Sequence, residues 1–492
     1  MALFSLLSFM SIRGSGTLFC LGASLTLASI TSCTVDPSEL ADSKVAAGSK
    51  YKNGSAKSQL LPEGRWWDCF NDPGLNQLIN KLDADNPSLA VALARYDRSR
   101  AELGLSKADQ FPVLRGGLTA KRKRDSASGI FVPPNLTYNE FRAALNLSYE
   151  IDLWGRVRGL VEAAKAESEA AYADWAGARL SLRAELARNY FQLRYLDSEI
   201  GVVERSVDLR RENLKLIDAR VRGGEITDLD LARAETELES ARADLLQLER
   251  ERAAVSNALA ALVGEVPATF SLPSGGVKNP PAIPSGIPCE LLSRRPDIVA
   301  ADRRMDAAAE RIGVVKATYL PRINLVGMGG LSSLKLSDLF DPSSLFGEIG
   351  PEVEVPLYNA GRSGNDLERA YAESDETVGL YKETVLNAFR EVEDALSANR
   401  FLDREIVAHQ AAASSAERAA DLSQKRYSGG LVSYLEVVDA QRTALAEKRE
   451  LVRARSARLL SAVQLVQALG GGWNVPVSTP EAYSRKRVDG NQ

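Results

Sequence analysis

The stretch that decides the fold is Arg220-Val-Arg-Gly-Gly-Glu-Ile-Thr-Asp-Leu-Asp230, which returns in the same pattern as Arg426-Tyr-Ser-Gly-Gly-Leu-Val-Ser-Tyr-Leu-Glu436. In both copies a pair of glycines interrupts long segments rich in Ala, Leu, Arg and Glu, which favour helices. Gly223-Gly224 and Gly429-Gly430 are predicted to end one helix, because glycine adopts the left-handed conformation of a helix C-terminus at low cost. Each copy therefore predicts the turn of a helical hairpin.

The residues that follow the glycines are typical of a helix start. Thr227 and Ser433 are predicted to cap the returning helices. Asp230 and Glu436, three residues later, are predicted to complete capping boxes with them. A role in lining a pore is the alternative for Glu436, and the capping role is the one we favour.

The similarity between the two copies extends far beyond the turns. Pro112 and Pro321 match at a spacing of 209 residues, and Arg220 and Arg426 match at 206. A period this long indicates an internal duplication, since solenoid repeats span about 20 to 50 residues. We predict one repeat over residues 59–267, a second over 268–475, and a C-terminal tail over 476–492.

Long proline-free windows predict the helices of each repeat. No proline lies between Pro134 and Pro267, or between Pro356 and Pro476. Apolar residues recur there at spacings of three and four, which is the period of a helix with one buried face. The windows predict helical hairpins over about 155–264 and 362–470. A helix from 155 to 222 would be roughly 100 Å long, which favours a coiled coil or a long tube.

Alternating apolar and polar residues before each hairpin predict strands. In repeat 1 the strands are expected at about 111–124 and 139–154, and in repeat 2 at about 319–333 and 346–358. A half-buried soluble sheet would show the same alternation. Two details favour a lipid-facing sheet: the strand length, and Trp154 and Tyr358, which would end matching strands in an aromatic girdle.

The number of strands has a consequence for assembly. Four strands cannot close a barrel, and an open sheet edge is not tolerated in hydrocarbon. Three chains would supply twelve strands, enough for a channel. The run Lys121-Arg-Lys-Arg124 at the outer end of the first strand is expected either to contact anionic lipid headgroups or to form a solvated loop margin.

The N-terminus predicts export and a lipid anchor. Leu18 to Ile30 is an apolar run behind Arg13, typical of a secretory signal over residues 1–32, with Met1 or Met10 as the start. Ile30-Thr-Ser-Cys33 resembles a lipobox, so Cys33 is predicted to be acylated, and residues 33–58 to form a flexible tether. A plain cleaved signal is the alternative.

Taken in order along the chain, several motifs resemble those of the outer-membrane efflux factors of the TolC/OprM type, in particular their lipoprotein branch. The resemblance covers roughly residues 60–476. The motifs that carry it are Trp66-Trp67, Tyr149-Glu-Ile-Asp-Leu-Trp-Gly-Arg156, Arg294-Arg-Pro-Asp-Ile298, Lys316-Ala-Thr-Tyr-Leu-Pro321 and Tyr434-Leu-Glu-Val-Val-Asp-Ala-Gln-Arg442.

The resemblance implies a mainly α-helical protein with a membrane β-barrel. The duplicated strand–strand–hairpin unit would assemble as a homotrimer, in which a twelve-stranded β-barrel is continued by a periplasmic α-helical barrel. It also implies the passive exit duct of a tripartite efflux pump, lipid-anchored in the outer membrane and extending into the periplasm. The implied partners are outer-membrane lipid, a periplasmic adaptor and an inner-membrane transporter of the RND type.

The resemblance also places a gate at the second hairpin tip. Leu435, Asp439 and Arg442 share one face of the returning helix. Matched to the family, they would form hydrophobic and acidic rings that close the tube. We hypothesise that links from Asp439 to Arg233 or to Arg442 hold the tips shut; the alternative for Asp439 is a solvated carboxylate.

The composition excludes other classes of function. The net charge of −4 gives no basic surface for nucleic acid, and the single histidine cannot form a zinc site. No nucleophile constellation or phosphate-binding loop is present in the sequence, so we expect no enzyme, no cofactor and no metal. The alternative function is a lipid-anchored periplasmic coiled-coil scaffold or adaptor without a membrane barrel.

Overall fold

A computed structural model describes residues 51–52, 64–125, 137–278, 280–281, 283–284 and 291–473. Cys33, the predicted signal, the predicted tail and nearly all of the predicted tether lie outside the described residues. After a 3₁₀ turn at Trp66–Phe70, the elements are α1 (Pro73–Asp85), α2 (Pro87–Ala108), β1 (Val113–Arg124), β2 (Thr137–Glu150), α3 (Arg156–Arg222), α4 (Asp228–Leu262), α5 (Leu291–Arg294), α6 (Pro296–Ala317), β3 (Arg322–Ser333), β4 (Leu345–Glu354), α7 (Arg362–Ser428) and α8 (Tyr434–Ala468).

The chain divides into two compact units, and the first contains the strands. Its described residues lie within 106–162 and 309–371. The four strands form one antiparallel sheet in the order β1-β2-β3-β4, so β1 and β4 are its edges. Leu147 lies opposite Leu114 on β1 and Gly327 on β3, and Ser148 lies opposite Val113 and Val326. The alternation in the sequence thus becomes two faces of one sheet.

The strands are shorter than predicted at the end where they meet the helices. Phe111 and Tyr319 do not open strands, because their amides bond back to Ala108 and Lys316 in turns that end α2 and α6. Pro112 and Pro321 follow, and proline has no amide hydrogen for a ladder. The predicted starts at 111 and 319 are therefore wrong by two or three residues.

β2 and β4 also end earlier than predicted, so Trp154 and Tyr358 do not lie in strands. β2 ends at Glu150 and β4 at Glu354, four residues earlier in each case. Leu153 turns back to bond Ile151, and Pro356 interrupts the other segment. The Trp154 indole donates to the Pro321 carbonyl at 2.7 Å, whereas Tyr358 is 90% exposed. The aromatic girdle stays a prediction.

The second unit contains the helical hairpins and the largest apolar core. Its described residues are the remainder, apart from 106–162 and 309–371. The α1 residues Leu75, Ile79 and Leu82 pack in one cluster with Tyr190 of α3 and Val463 of α8. Burial of such side chains stabilises a fold by about 1.5–3 kcal/mol each. This cluster anchors the hairpins at the end away from their turns.

Asp72 fixes the start of α1 inside that core. Its carboxylate accepts hydrogen bonds from the amides of Gly74 and Leu75, at 3.0 and 3.4 Å, as an N-cap does. The Tyr190 hydroxyl donates to the same oxygen at 2.8 Å, and Lys278 lies 3.2 Å away. A helix start is thus tied to α3.

The long helices are amphipathic rather than apolar. α3 and α7 each have 67 residues, and α4 and α8 each have 35. At about 1.5 Å per residue, α3 and α7 are each roughly 100 Å long. Within the described part of the chain, no helix combines the length and the hydrophobicity needed to cross a membrane.

Candidate functional site at the hairpin tips

Two matching turns form the tips of the hairpins. In the first, Gly224 donates to the Val221 carbonyl and Glu225 to the Arg220 carbonyl, both at 2.9 Å. This pair of bonds defines a Schellman motif, which satisfies the last carbonyls of a helix. Gly224 adopts a φ of 72°, while Gly223 stays outside the left-handed region. Only the second glycine of the pair is therefore required by its backbone conformation.

The second tip repeats the first. Gly430 donates to Tyr427 and Leu431 donates to Arg426, both at 3.0 Å. Gly430 has a φ of 75°, and Gly429 again stays outside the left-handed region. The duplicated sequence thus produces duplicated backbone geometry.

The predicted capping boxes are wrong, although Thr227 and Ser433 do occupy the N-cap positions. Neither hydroxyl accepts a hydrogen bond from the helix that it precedes. The amides of Asp230 and Glu436 bond instead to the backbone carbonyls of Thr227 and Ser433, at 3.0 and 3.2 Å. Because these carbonyls occupy the amides that a capping box uses, the two hydroxyls do not cap the helices.

An aromatic cluster packs the two tips against each other. Tyr427 of α7 and Tyr434 of α8 lie 5.7 Å apart between ring centroids. Both are buried with Ile217 of α3 and Ala234 of α4. The Arg220 guanidinium lies 5.1 Å from the Tyr427 ring centroid. Burial raises the pKa of Tyr434 to about 12.

A buried carboxylate lies on α4, farther from the turn than this cluster. The Glu237 side chain on α4 is only 8% exposed. Arg210 of α3, itself buried, forms an ion pair with the Glu237 carboxylate at 2.8 Å and donates a hydrogen bond to its backbone carbonyl at 2.6 Å. Arg442 of α8 donates to the other carboxylate oxygen from a side chain that is 62% exposed. Glu237 therefore joins the two hairpins, with one buried arginine and one exposed arginine.

Further polar contacts join the hairpins on either side of Glu237 along the helices. Asn213 of α3 donates to Gln441 of α8 at 3.3 Å. Arg449 of α8 donates to buried Glu199 of α3 at 2.7 Å and reaches Asp244 of α4 at 3.4 Å. A row of polar side chains thus runs along α8 and consists of Gln441, Arg442 and Arg449.

The predicted gate residues lie in the same region with different partners. Leu435 is 53% exposed, and Asp439 is exposed as well. The hypothesised links from Asp439 to Arg233 and to Arg442 do not form among the described residues. Arg233 bonds Asp230 on its own helix at 3.4 Å, and Arg442 bonds Glu237. Within one chain the nearer carboxylates occupy both arginines.

Glu237 and Arg210 were missed at the level of sequence. Glu237 occurs among Ala234, Leu238 and Ala241, which form the buried face of α4. A charged residue on an apolar helical face is rarely buried without a partner. That irregularity is the signal in the sequence, and its partner on α3 becomes identifiable only from the packing of the hairpins.

Among the described residues, no three His, Cys, Asp or Glu side chains are grouped closely enough to hold a metal ion. What the tip arrangement can do is hold two hairpins together through a carboxylate, or release them.

The sequence and the fold both match known proteins. Residues 78–265 and 287–471 match the outer membrane efflux protein family. Outer membrane protein OprJ of Pseudomonas aeruginosa is 33% identical over 413 residues, which cover 83% of this chain and 86% of OprJ. The cation efflux system protein CusC of Escherichia coli O6:H1 is 30% identical over 411 residues, 83% of this chain and 88% of CusC.

A solved structure shows the same architecture. The outer-membrane channel OprN superposes with a TM-score of 0.83 at 29% identity, over 90% of this chain and all of that chain. The resemblance inferred from the motifs is confirmed, as is the combination of barrel strands with long helical hairpins. This chain belongs to the outer membrane efflux protein family, whose members are outer-membrane exit ducts of efflux pumps.

Proposed function

We propose that this exit duct works as a homotrimer whose three sheets close one β-barrel and whose hairpins continue it as a periplasmic α-helical barrel. The four-stranded sheet has two edges without a partner strand, β1 and β4. In a bilayer each unsatisfied backbone group costs several kcal/mol, so both edges need partner strands. Three copies supply twelve strands, an even number typical of outer-membrane barrels.

The gate in this proposal is the ion pair between Arg442 and Glu237, which holds the duct in its closed state. Arg442 is exposed and leaves Glu237 without burying a charge. Glu237 remains paired with Arg210 after the release. Because no buried charge loses its last partner, the release of this ion pair itself has a small electrostatic cost.

Asp439 has a role in the released state. It lies three residues before Arg442 on α8, on the same exposed face. The hydrogen bond to Glu237 raises the pKa of Arg442, and Asp439 adds to this effect. When Arg442 leaves Glu237, Asp439 is the next carboxylate within reach along the helix. Leu435 then lines the aperture one turn closer to the tip.

The partners follow from this arrangement. A periplasmic adaptor would dock on the tips and shift the balance from the Glu237 link to the Asp439 link. A groove of about 380 Å³ between α3, α7 and α8 offers Arg205, Lys448, Glu417 and Asp421 to such a helical partner. An inner-membrane transporter of the RND type would supply the energy, since transport through the duct is passive. Acylated Cys33 would anchor the chain in the outer membrane.

Planar bilayers test the proposal. Purified full-length protein should have the native mass of three chains and should insert in discrete conducting steps. A monomer that binds membranes but never conducts would contradict the duct and favour the lipid-anchored scaffold.

A further inference from the structure

The two edge strands of the sheet carry opposite charges on one face. Residues that lie directly opposite in a ladder share a face, and one such row crosses the sheet through Arg115, Asn146, Met328 and Glu348. On β1 this polar face also contains Lys121 and Lys123. On β4 it also contains Glu352 and Glu354. The β1 edge is therefore basic and the β4 edge acidic.

Most of these charged side chains form no ion pair with the other described residues of the chain. Arg115, Lys121, Glu348 and Glu354 are all exposed, and none forms a salt bridge with another described residue. Both strands also lack a second partner strand, because they stand at the ends of the sheet. Unpaired backbone groups and complementary charges lie along the same two edges.

We propose that β4 of one protomer pairs antiparallel with β1 of the next, with Glu354 opposite Arg115 and Glu348 opposite Lys121. The partner is a second copy of this chain, and the inference rests on the trimer proposed above. It adds to that trimer a defined register for the seam between subunits.

Strand length limits the possible registers to a few. β4 has 10 residues and β1 has 12, so three registers pair every residue of β4. One sets Glu354 opposite Leu114 and mixes the polar and apolar faces. Another sets Glu354 opposite Val113 and leaves only Glu352 with a basic partner, Arg115. The third forms both pairs.

The neighbouring strands favour the same register. Within the chain Lys121 lies opposite Glu140 of β2, and Glu354 lies opposite Arg322 of β3. The proposed pairs continue both rows across the seam with alternating sign. Opposite charges facing each other stabilise a sheet, while like charges weaken it.

The register also gives a strand tilt close to that of known membrane barrels. A row that starts at Gly117 passes through Ala144, Gly330 and Phe346 and then, across the seam, reaches Lys123. On passing from one protomer to the next, the row has thus moved six residues along β1, from Gly117 to Lys123. Over three protomers the strands tilt by about 45°, close to the usual limit for membrane barrels. A register two residues further, with Glu348 opposite Lys123, would raise the tilt to about 54°.

Carbodiimide cross-linking of the full-length protein in detergent tests the register, because it joins a carboxylate to an amine without a spacer. We expect an amide between Glu348 and Lys121 in covalent dimers and trimers, located by peptide mass spectrometry. Lys121→Arg keeps the charge but removes the amine, so it should abolish that product while the oligomer persists. Glu140→Gln is the matched control, since it removes only the carboxylate that faces Lys121 within one chain.

A charge exchange provides a second measurement. Glu348→Lys should reduce the oligomer that survives heating in detergent, and Glu348→Lys combined with Lys121→Glu should restore it. Cross-links from Glu348 to Lys123, or a double variant no better than the single one, would overturn the register and leave the exit duct intact. A protein that never forms an oligomer would contradict the proposed function itself.

Discussion

Arg442 on α8 donates a hydrogen bond to the carboxylate of Glu237 on α4, and this link joins two hairpins through residues 205 positions apart. The two arginines on Glu237 differ in exposure, since Arg442 is largely exposed and Arg210 is buried. That difference separates a contact that can be released from one that maintains the fold.

The first prediction contrasts those two arginines. Arg210→Ala removes the buried partner of Glu237 and leaves only the exposed Arg442, so it should cost up to about 3–5 kcal/mol. Arg442→Ala removes a mostly exposed partner and should cost about 0.2–1 kcal/mol. Amide hydrogen exchange at the tips of the purified protein measures both. Equal loss of protection in the two variants would contradict the division of roles.

The second prediction concerns the turns. Gly224→Ala and Gly430→Ala force a side chain into the left-handed region and should each cost about 1–2 kcal/mol. Gly223→Ala and Gly429→Ala are the controls, because these residues lie outside that region and a methyl group there would meet only ordinary contacts. Thermal unfolding compares the four variants. Larger effects in the controls would show that the first glycine, not the second, restricts each turn.

The duplicated turn explains how much of the fold was predictable. The helix and strand periods in the sequence identified both hairpins and all four strands, because those periods reflect which faces are buried. The predicted strand ends were less accurate. Pro112 and Pro356 have no amide hydrogen for a ladder, and this effect does not change the spacing of apolar residues from which the strands were predicted. Glu237 could not be assigned because its partner, Arg210, lies 27 residues away on another helix. Only the packing of the hairpins brings them together.

The third prediction concerns acid stability. Burial acts to raise the pKa of Asp72 and of Asp83, but hydrogen bonds from Tyr190 and Lys278, and from Arg183 and Arg179, outweigh it and lower both pKa values. A lowered folded pKa stabilises the protein above the unfolded value of about 3.9, and that stabilisation disappears as the pH falls through the folded pKa.

The thermal midpoint should therefore fall as the pH drops below about 4. Asp72→Asn and Asp83→Asn combined should lower the midpoint at neutral pH and flatten this decline. A decline as steep as that of the wild type would show that other carboxylates cause it.

The fourth prediction concerns the lipid anchor. The mature wild-type protein should carry the mass of its acyl chains on Cys33, and Cys33→Ser should lose that mass and be released from membranes. Cys20→Ser is the control, because Phe19 precedes it where a lipobox has a small residue. Intact-mass spectrometry decides, and an acylated Cys33→Ser protein would exclude Cys33 as the site.

The most direct test of the gated exit duct is single-channel conductance in planar bilayers, comparing the wild type with Arg442→Ala. Arg455→Ala is the control, because Arg455 on the same helix bonds Gln410 inside the second hairpin and does not join the hairpins. We predict small conductance for the wild type and Arg455→Ala, and a clear increase for Arg442→Ala. Equal conductance in all three would contradict the account that the Arg442–Glu237 link holds the duct closed.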